Sequence, residues 1–475
     1  MKLSLGEIAA ILGASCEVRE RVAEGYSIDS RTILPGQLFF AIRGPRFDAH
    51  EFVEQAIGRG AVGAVVERGF SQQAGGVNRG AMLPVRDTTE ALQLLGQAVR
   101  SKWGRRVIAV TGSTGKTTTK ELVAALVAKR FSVLKSQGNL NNQYGLPLTL
   151  LDLGPHHEVA VVELAMSAPG EIARLARIAQ PQVGVVTNVA PVHLEFFDSV
   201  DAIAKAKREL IENLEPPAVA VLNYDDARVR RFGQGFAGRV VSFGFGEGAE
   251  FRASSFRSGQ NGGSVFRVAG HEMGGDFLLP LPGRHNVENA LAALAAASLF
   301  DIPAAELREA LASFQNLHQR NEILTLPGDV TVINDSYNSN PLAMERMLET
   351  LAAWPGARRR IVVAGEMLEL GPSSPDWHRR IGRKAAECGV SWLLAVKGDA
   401  RFFLEGAAEA GLSGDRCRFF PEVEKAGKFC RKLLEPGDVV LVKGSRGVHL
   451  ETVIELLQGG SVNSTNPPHK ASGPE

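Results

Sequence analysis

A chain of 475 residues has room for about three domains of ~150 residues, and 44% hydrophobic with 22% charged residues is the composition of a folded globular protein. The formal net charge of +1 argues against a basic surface for nucleic acid and against an acidic solvating tail. No apolar run approaches the ~18 residues of a membrane span, and the four cysteines, Cys16, Cys388, Cys417 and Cys430, form no C-x-x-C pair, so they read as reduced, buried thiols of a cytoplasmic protein.

In chain order, a first unit covers residues 1–104. Leu3 to Leu12, with Glu7 among its apolar residues, predicts an amphipathic helix and not a signal peptide. A buried strand is expected in Gly36 to Arg43, a helix over Glu51 to Arg59 and a strand over Ala61 to Val66. Ser30, Arg31, Arg46, Asp48 and His50 fall at strand ends and loops, where α/β units bind ligands. Turn and capping chemistry explains those residue types equally well.

A second unit, 105–316, opens on Val107 to Val110, then Thr111-Gly-Ser-Thr-Gly-Lys-Thr117, then a helix-compatible run from Thr117 to Arg130. Strand, glycine turn and helix form a phosphate cradle, with backbone N–H groups and the helix N-terminus facing the anion. In that pattern Gly112, Ser113, Thr114, Gly115 and Thr118 shape the loop, Lys116 pairs with phosphate and Thr117 holds Mg²⁺. Val110 stands where the full pattern has glycine. Strand-like runs at Val159 to Leu164, Val183 to Val189 and Ala218 to Leu222 alternate with helical ones at Glu171 to Ala179, Val200 to Leu214 and Val287 to Phe300, which predicts a parallel sheet. Between 239 and 283 the pattern changes to antiparallel strands, inserted or appended.

A third unit, 317–458, is another open α/β sheet, with strands expected at Val330 to Ile333, Ile361 to Ala364, Trp392 to Val396, Arg418 to Phe420 and Val439 to Val442. The polar stretch 459–475 is expected to be a disordered tail. The predicted class is therefore α/β with three domains: a central P-loop parallel-sheet domain, and a C-terminal Rossmann-like one.

Glu163 ends a buried strand on the phosphate edge, as a Mg²⁺ ligand or as a cap for the following helix. His193, at another strand end, is a metal ligand or a structural histidine. Lys205 and Lys207 point to different faces of one helix, and a solvated basic face accounts for both. Arg320, Asp335 and Asn338 could reach a nucleotide from the third unit, while Asn340 could cap the helix beginning near Pro341. Val442-Lys-Gly-Ser-Arg446 is a polar turn suited to anions.

These stretches, with Gly138-Asn-Leu-Asn-Asn-Gln-Tyr-Gly145, Pro282-Gly-Arg-His-Asn286 and Gly365-Glu-Met-Leu-Glu-Leu-Gly371, occur in an order that resembles the Mur ligases. Within that family they are most similar to the members that add D-alanyl-D-alanine to UDP-N-acetylmuramoyl-tripeptide. The resemblance implies a first domain for the UDP-sugar, with Ser30, Arg31, Arg46, Asp48 and His50 as its contacts, and a second domain for ATP. It implies Asn286 and Asn289 at the adenine, Arg320 and Asp335 reaching ATP from a closing third domain, and Asn139, Asn142 and Asn338 near the peptide substrates. It also implies two Mg²⁺, one on Thr117 and Glu163 and one on His193 and a CO₂-derived carbamate on Lys207, with Lys116, Lys207 and His193 as the catalytic set. A cytoplasmic monomer with no nucleic-acid partner and no membrane span is expected. Ala165 stands where relatives commonly have glycine. Two other readings compete: a ligase adding one amino acid to a muramoyl peptide or a folate, and a nucleotide-hydrolysing switch.

Overall fold

The computed structural model describes all residues except 45–46, 74–78, 193, 260–261, 270–272, 316 and 460–475, and the side chains of 71–73 and 79. Its centre is a nine-stranded sheet. Arg106–Thr111 lies inside it, flanked by Val159–Glu163 on one side and Val183–Val186 on the other, all parallel. Val107 to Val110 are wholly buried, as an interior parallel strand covered on both faces requires. Because its two neighbours come from later chain on opposite sides, a crevice opens beyond its carboxyl end, where α/β sheets hold ligands. The helix Lys116–Val127 leaves that crevice.

The 239–279 region continues this same sheet. Arg239–Gly244 pairs parallel with Val219–Asn223 and, at Phe243 and Gly244, with Phe251–Ser258. Antiparallel pairing in this region joins Phe251–Ser258 to Ser264–Ala269 and Ser264–Ala269 to Asp276–Leu279, which corrects the expectation for Arg239 to Gly244. Local alternation sets a strand's two faces and says nothing about the direction of its neighbour.

The first domain holds a parallel four-stranded sheet in chain order, Gly25–Ser27, Gln37–Phe40, Gly63–Glu67 and Met82–Val85. The helix expected over Glu51 to Arg59 is present as the α-helix Val53–Gly58, entered through a 3₁₀ turn, Ala49–Phe52. The third domain has six strands, ordered Glu322–Leu326, Val330–Asp335, Asp438–Lys443, Arg359–Gly365, Trp392–Val396 and Cys417–Phe420. All pairs are parallel except the first. All four cysteines are free, but only Cys430 is buried and the other three are half-buried, against the expectation of buried thiols.

The first domain is fixed to the centre by its last helix, Thr88–Trp103. Gly96 lets the helix approach Pro147, whose Cα would stand 3.0 Å from an added Cβ. Arg100, buried, donates from Nε to the Ala179 carbonyl at 2.7 Å and from Nη2 to that of Gln180 at 2.9 Å. These are end carbonyls of the helix Glu171–Ala179, beyond the reach of its own backbone donors, and that of Gln180 also accepts from Gln182 Nε2 at 3.1 Å. Arg100→Met is expected to lower unfolding stability by about 2–3 kcal/mol, read from urea midpoints, because it removes two charge-assisted hydrogen bonds and leaves the Ala179 carbonyl without its donor inside an interface.

Candidate active site

The loop between strand Arg106–Thr111 and helix Lys116–Val127 leaves no room for side chains at its glycines. A Cβ on Gly112 would stand 1.8 Å from Thr187 Oγ1, and one on Gly115 2.3 Å from Asn289 Oδ1. Gly115 also has φ +79°, a left-handed conformation that favours glycine. The loop is braced from the neighbouring strand end. Thr114 N–H donates to Asn188 Oδ1 at 3.0 Å, and Thr187 Oγ1 donates to the Thr114 carbonyl at 2.6 Å. Gly115→Ala is therefore expected to lose nucleotide affinity and about 1–3 kcal/mol of stability, measured by ADP titration and thermal unfolding.

Lys116 is half-buried, and its Nζ donates to the carbonyls of Gly112 at 2.9 Å and Ser113 at 3.3 Å. Burial lowers its pKa, Glu163 opposes that shift and Arg320 adds to it. Thr117 Oγ1 donates to Glu163 Oε2 at 2.8 Å, and Asn141 Nδ2 donates to Glu163 Oε1 at the same distance. Glu163 is 2% exposed. The start of the helix Glu171–Ala179 is satisfied by Glu209, which accepts from the backbone N–H groups of Gly170 and Ala173 at 2.8 and 3.0 Å, so Glu163 is left facing the cleft.

A cleft of about 310 Å³ joins these groups to the third domain. From the central domain it is lined by Ser113 to Thr118, Asn141, Glu163, His285, Asn286 and Asn289, and from the third by Arg320, Asp335, Tyr337, Asn338, Arg346 and Lys443. Arg346 Nη2 pairs with Glu288 at 2.8 Å across the two domains. Arg320 lies over the Tyr337 ring, 4.0 Å from its centroid. Lys443 Nζ pairs with Asp335 Oδ2 at 2.5 Å and donates to the Asn338 carbonyl at 2.8 Å. Burial, then the cations Arg346 and Lys443 against a hydrogen bond with Asn321, hold the His285 imidazole neutral with its pKa lowered to about 3.

The structure brings Gly115, Lys116, Thr117, Thr118, Glu163, Asn286, Asn289, Arg320, Asp335 and Asn338 to one place. Asn286 and Asn289 also serve the fold there: Asn286 Nδ2 donates to the Pro282 carbonyl at 2.7 Å and Asn289 Nδ2 to Asn286 Oδ1 at 3.2 Å. Lys205 is exposed and Lys207 buried at 2% exposure, as the two faces of their helix dictate. Burial first, and then the Lys116 charge, push the Lys207 pKa well below its ordinary value.

Other expected contacts fall elsewhere. Asn142 Oδ1 accepts from the N–H groups of Tyr144 and Gly145 at 3.2 and 3.0 Å and starts the helix Gly145–Leu151, while its neighbour Asn141 takes the cleft position. Asn139 is exposed and does not line the cleft. Asn340 does cap its helix, accepting from Ala343 N–H at 3.0 Å. His50 is 3% exposed, with Nδ1 on Asp48 at 2.5 Å and Nε2 accepting from Glu67 N–H at 2.9 Å, so neither ring nitrogen is free for a ligand. Ser30 Oγ donates to Gln55 at 2.9 Å and Arg31 pairs with Asp29 at 2.6 Å. These loops follow the carboxyl ends of two adjacent strands, Gly25–Ser27 and Gln37–Phe40, away from the phosphate cleft. Arg46 and His193 lie outside the described residues. Asn141, His285, Asn321, Tyr337 and Arg346 line the cleft, and Thr187 and Asn188 brace its loop, without having been singled out from the sequence, while Lys443 comes from the Val442 to Arg446 turn read as suited to anions.

Chemically, Lys116, Arg320, Arg346 and Lys443 surround a glycine cradle beside the buried Glu163 carboxylate and the Thr117 hydroxyl. That suits a polyphosphate with a divalent cation. Among the described residues no three His, Cys, Asp or Glu side chains gather to cage a metal. Mg²⁺ needs no such cage, since it takes one or two carboxylates together with phosphate oxygens and water. No helix among the described residues is long and apolar enough to cross a membrane.

Fold and cleft together define a three-domain α/β protein with a P-loop. Residues 23–100 match the Mur ligase family catalytic domain, 110–297 the Mur ligase middle domain and 319–446 the Mur ligase glutamate ligase domain. The UDP-N-acetylmuramoyl-tripeptide–D-alanyl-D-alanine ligase of Bacillus subtilis is 32% identical over 444 residues, 94% of this chain and 95% of its own. A crystal structure of MurF from Acinetobacter baumannii superposes with a TM-score of 0.87 at 30% identity, covering 96% of this chain and 99% of that one. MurF ligase of Thermotoga maritima in complex with ADP gives 0.80 at 28% identity, covering 92% and 97%. The chain belongs to the Mur ligase family.

Proposed function

We propose that the chain is an ATP-dependent, ADP-forming ligase that joins D-alanyl-D-alanine to UDP-N-acetylmuramoyl-tripeptide, giving the UDP-linked pentapeptide used for peptidoglycan. One observation carries the reading. Lys116, Thr117 and Glu163 meet Arg320 and Asp335 across a single cleft, in a chain that shares 32% identity with a ligase of that name over 94% of its length.

In the first step a carboxylate oxygen of the tripeptide attacks the γ-phosphorus of ATP, the bond to the β–γ bridging oxygen breaks, and ADP leaves. In the second, the free amine of D-alanyl-D-alanine attacks the acyl-phosphate carbon, the bond to the phosphate oxygen breaks, and the amine loses a proton. Lys116 neutralises charge on the transferring phosphoryl group, and the P-loop N–H groups orient it. Thr117 and Glu163 would hold one Mg²⁺, which supplies charge stabilisation at the phosphates. Arg320 and Asp335 bring third-domain groups to the nucleotide, with Asn286 and Asn289 at the adenine end. Closure of the domains, fastened by Arg346 and Glu288, keeps water from the acyl phosphate.

Lys207 is assigned a carbamate. Burial and the Lys116 charge favour the neutral amine, whose lone pair adds to CO₂ as one N–H proton is lost, turning an uncharged group into an anion. The Lys116 charge would attract that anion, and its carboxylate-like oxygen would be available to a second Mg²⁺. The partner ligand His193 is assigned from the family resemblance alone. Ser30, Arg31, Arg46 and Asp48 are assigned to the UDP-sugar edge of the first domain, Asn141 and Asn338 to the peptide side, and His50 to holding Asp48 in place. Soluble nucleotide substrates assign the reaction to the cytoplasm.

The reading predicts phosphate release only when ATP, Mg²⁺, UDP-N-acetylmuramoyl-tripeptide and D-alanyl-D-alanine are all present. Steady phosphate release without an acceptor amine would sink it in favour of a nucleotide-hydrolysing switch.

A further inference from the structure

Lys120 stands one helical turn beyond Lys116 on the P-loop helix and is wholly buried, at 0% exposure. A buried ammonium is costly unless it is paired and hydrogen-bonded, and nothing in the phosphate chemistry uses this one. Its Nζ lies 2.8 Å from Glu121 Oε1 and donates to the Ser136 carbonyl at 2.6 Å. Glu121 has a second cation in Lys135, so Lys120 is not needed merely to neutralise it.

Ser136 leads to the metal carboxylate. Its hydroxyl accepts from the Glu163 backbone N–H at 3.3 Å, and its own N–H donates to the Val161 carbonyl at 3.1 Å. The loop then runs to Asn141, whose amide holds Glu163 Oε1 at 2.8 Å and whose carbonyl accepts from Ala165 N–H at 2.9 Å. The segment thus grips Glu163 at both ends, and Lys120 ties its first residue to the helix that carries Thr117.

We propose that Lys120 is a positioning residue for the divalent metal: by clamping Ser136 to the P-loop helix it sets where the Glu163 carboxylate stands relative to Thr117. This rests on reading Thr117 and Glu163 as metal ligands. Outer contacts that orient a ligand typically govern metal affinity by 10–100-fold. The sign separates positioning from charge. Deleting a nearby cation would by Coulomb attraction alone tighten binding of a dication, whereas a misplaced carboxylate weakens it.

The test is a titration of the purified full-length protein with Mn²⁺ in the presence of ADP, free Mn²⁺ being read by electron paramagnetic resonance. Lys120→Met and Ser136→Ala are each expected to weaken Mn²⁺ binding about tenfold, with metal-free ADP affinity unchanged. Unchanged or tighter Mn²⁺ binding in Lys120→Met overturns the proposal. If that variant does not fold, unchanged binding in Ser136→Ala overturns it. Glu163→Gln separates the two levels. If it leaves Mn²⁺ binding intact, the metal site itself is misread. If it weakens binding while the other two do not, only the role of Lys120 falls.

Discussion

Lys116→Met is expected to lower the rate of phosphate release at saturating substrates by about 10²–10³-fold, the usual loss when one preorganised charge is removed from a phosphoryl or oxyanion site. Lys116 is placed by the first turn of the helix Lys116–Val127, with its Nζ held over the loop by the Gly112 and Ser113 carbonyls. The other cations cannot substitute. Arg320 is engaged with the Tyr337 ring, Lys443 with Asp335 and Arg346 with Glu288. The effect on stability should have the opposite sense. Burial lowers the Lys116 pKa from its ordinary value, so the folded protein disfavours the charged form, and an uncharged side chain of similar length relieves that cost. A thermal midpoint unchanged or raised, beside a collapsed rate, is the expected pair of results. A rate within a few-fold of wild type would remove Lys116 from the chemistry.

Lys207→Ala is expected to lose activity by a similar ~10²-fold or more, and to regain part of it when acetate or formate is added. The buried site left by the side chain lies near Lys116, whose charge would attract a small carboxylate. Recovery should rise with the concentration of the anion and be absent with chloride at equal ionic strength. Lys205→Ala, on the exposed face of the same helix, should behave as wild type. Full activity of Lys207→Ala without any added carboxylate would rule out the carbamate.

Much of this site could be read from the sequence because it is local. The glycine turn, Lys116 and Thr117 are fixed within one strand–loop–helix unit, and Glu163 follows from a buried run ending in a carboxylate. What escaped depends on contacts between distant segments. The Thr187 brace on Thr114 and the Lys443 pair with Asp335 join residues 73 and 108 positions apart, and no local pattern announces either. In Asn139-Leu-Asn-Asn142 the sequence offers three similar amides. Only the backbone path decides that Asn141 meets Glu163 while Asn142 starts a helix. His50 looked like a ligand residue because it sits in a polar loop, but Asp48 and the Glu67 N–H satisfy both of its nitrogens. The edge strands Val133–Lys135 and Glu322–Leu326 escape a local reading because each is only half-buried for the most part and mixes polar with apolar residues, as sheet edges do.

The central claim is that the cleft spends ATP on one particular amide bond. It is tested most directly by the mass of the product formed from UDP-N-acetylmuramoyl-tripeptide against a panel of acceptors: D-alanyl-D-alanine, single amino acids, and glutamate with a folate donor in place of the muramoyl peptide. The account predicts a product heavier than the tripeptide substrate by D-alanyl-D-alanine less one water, with one ADP and one phosphate released per bond. A product carrying a single amino acid, or glutamate joined to folate, with none from D-alanyl-D-alanine, would contradict it.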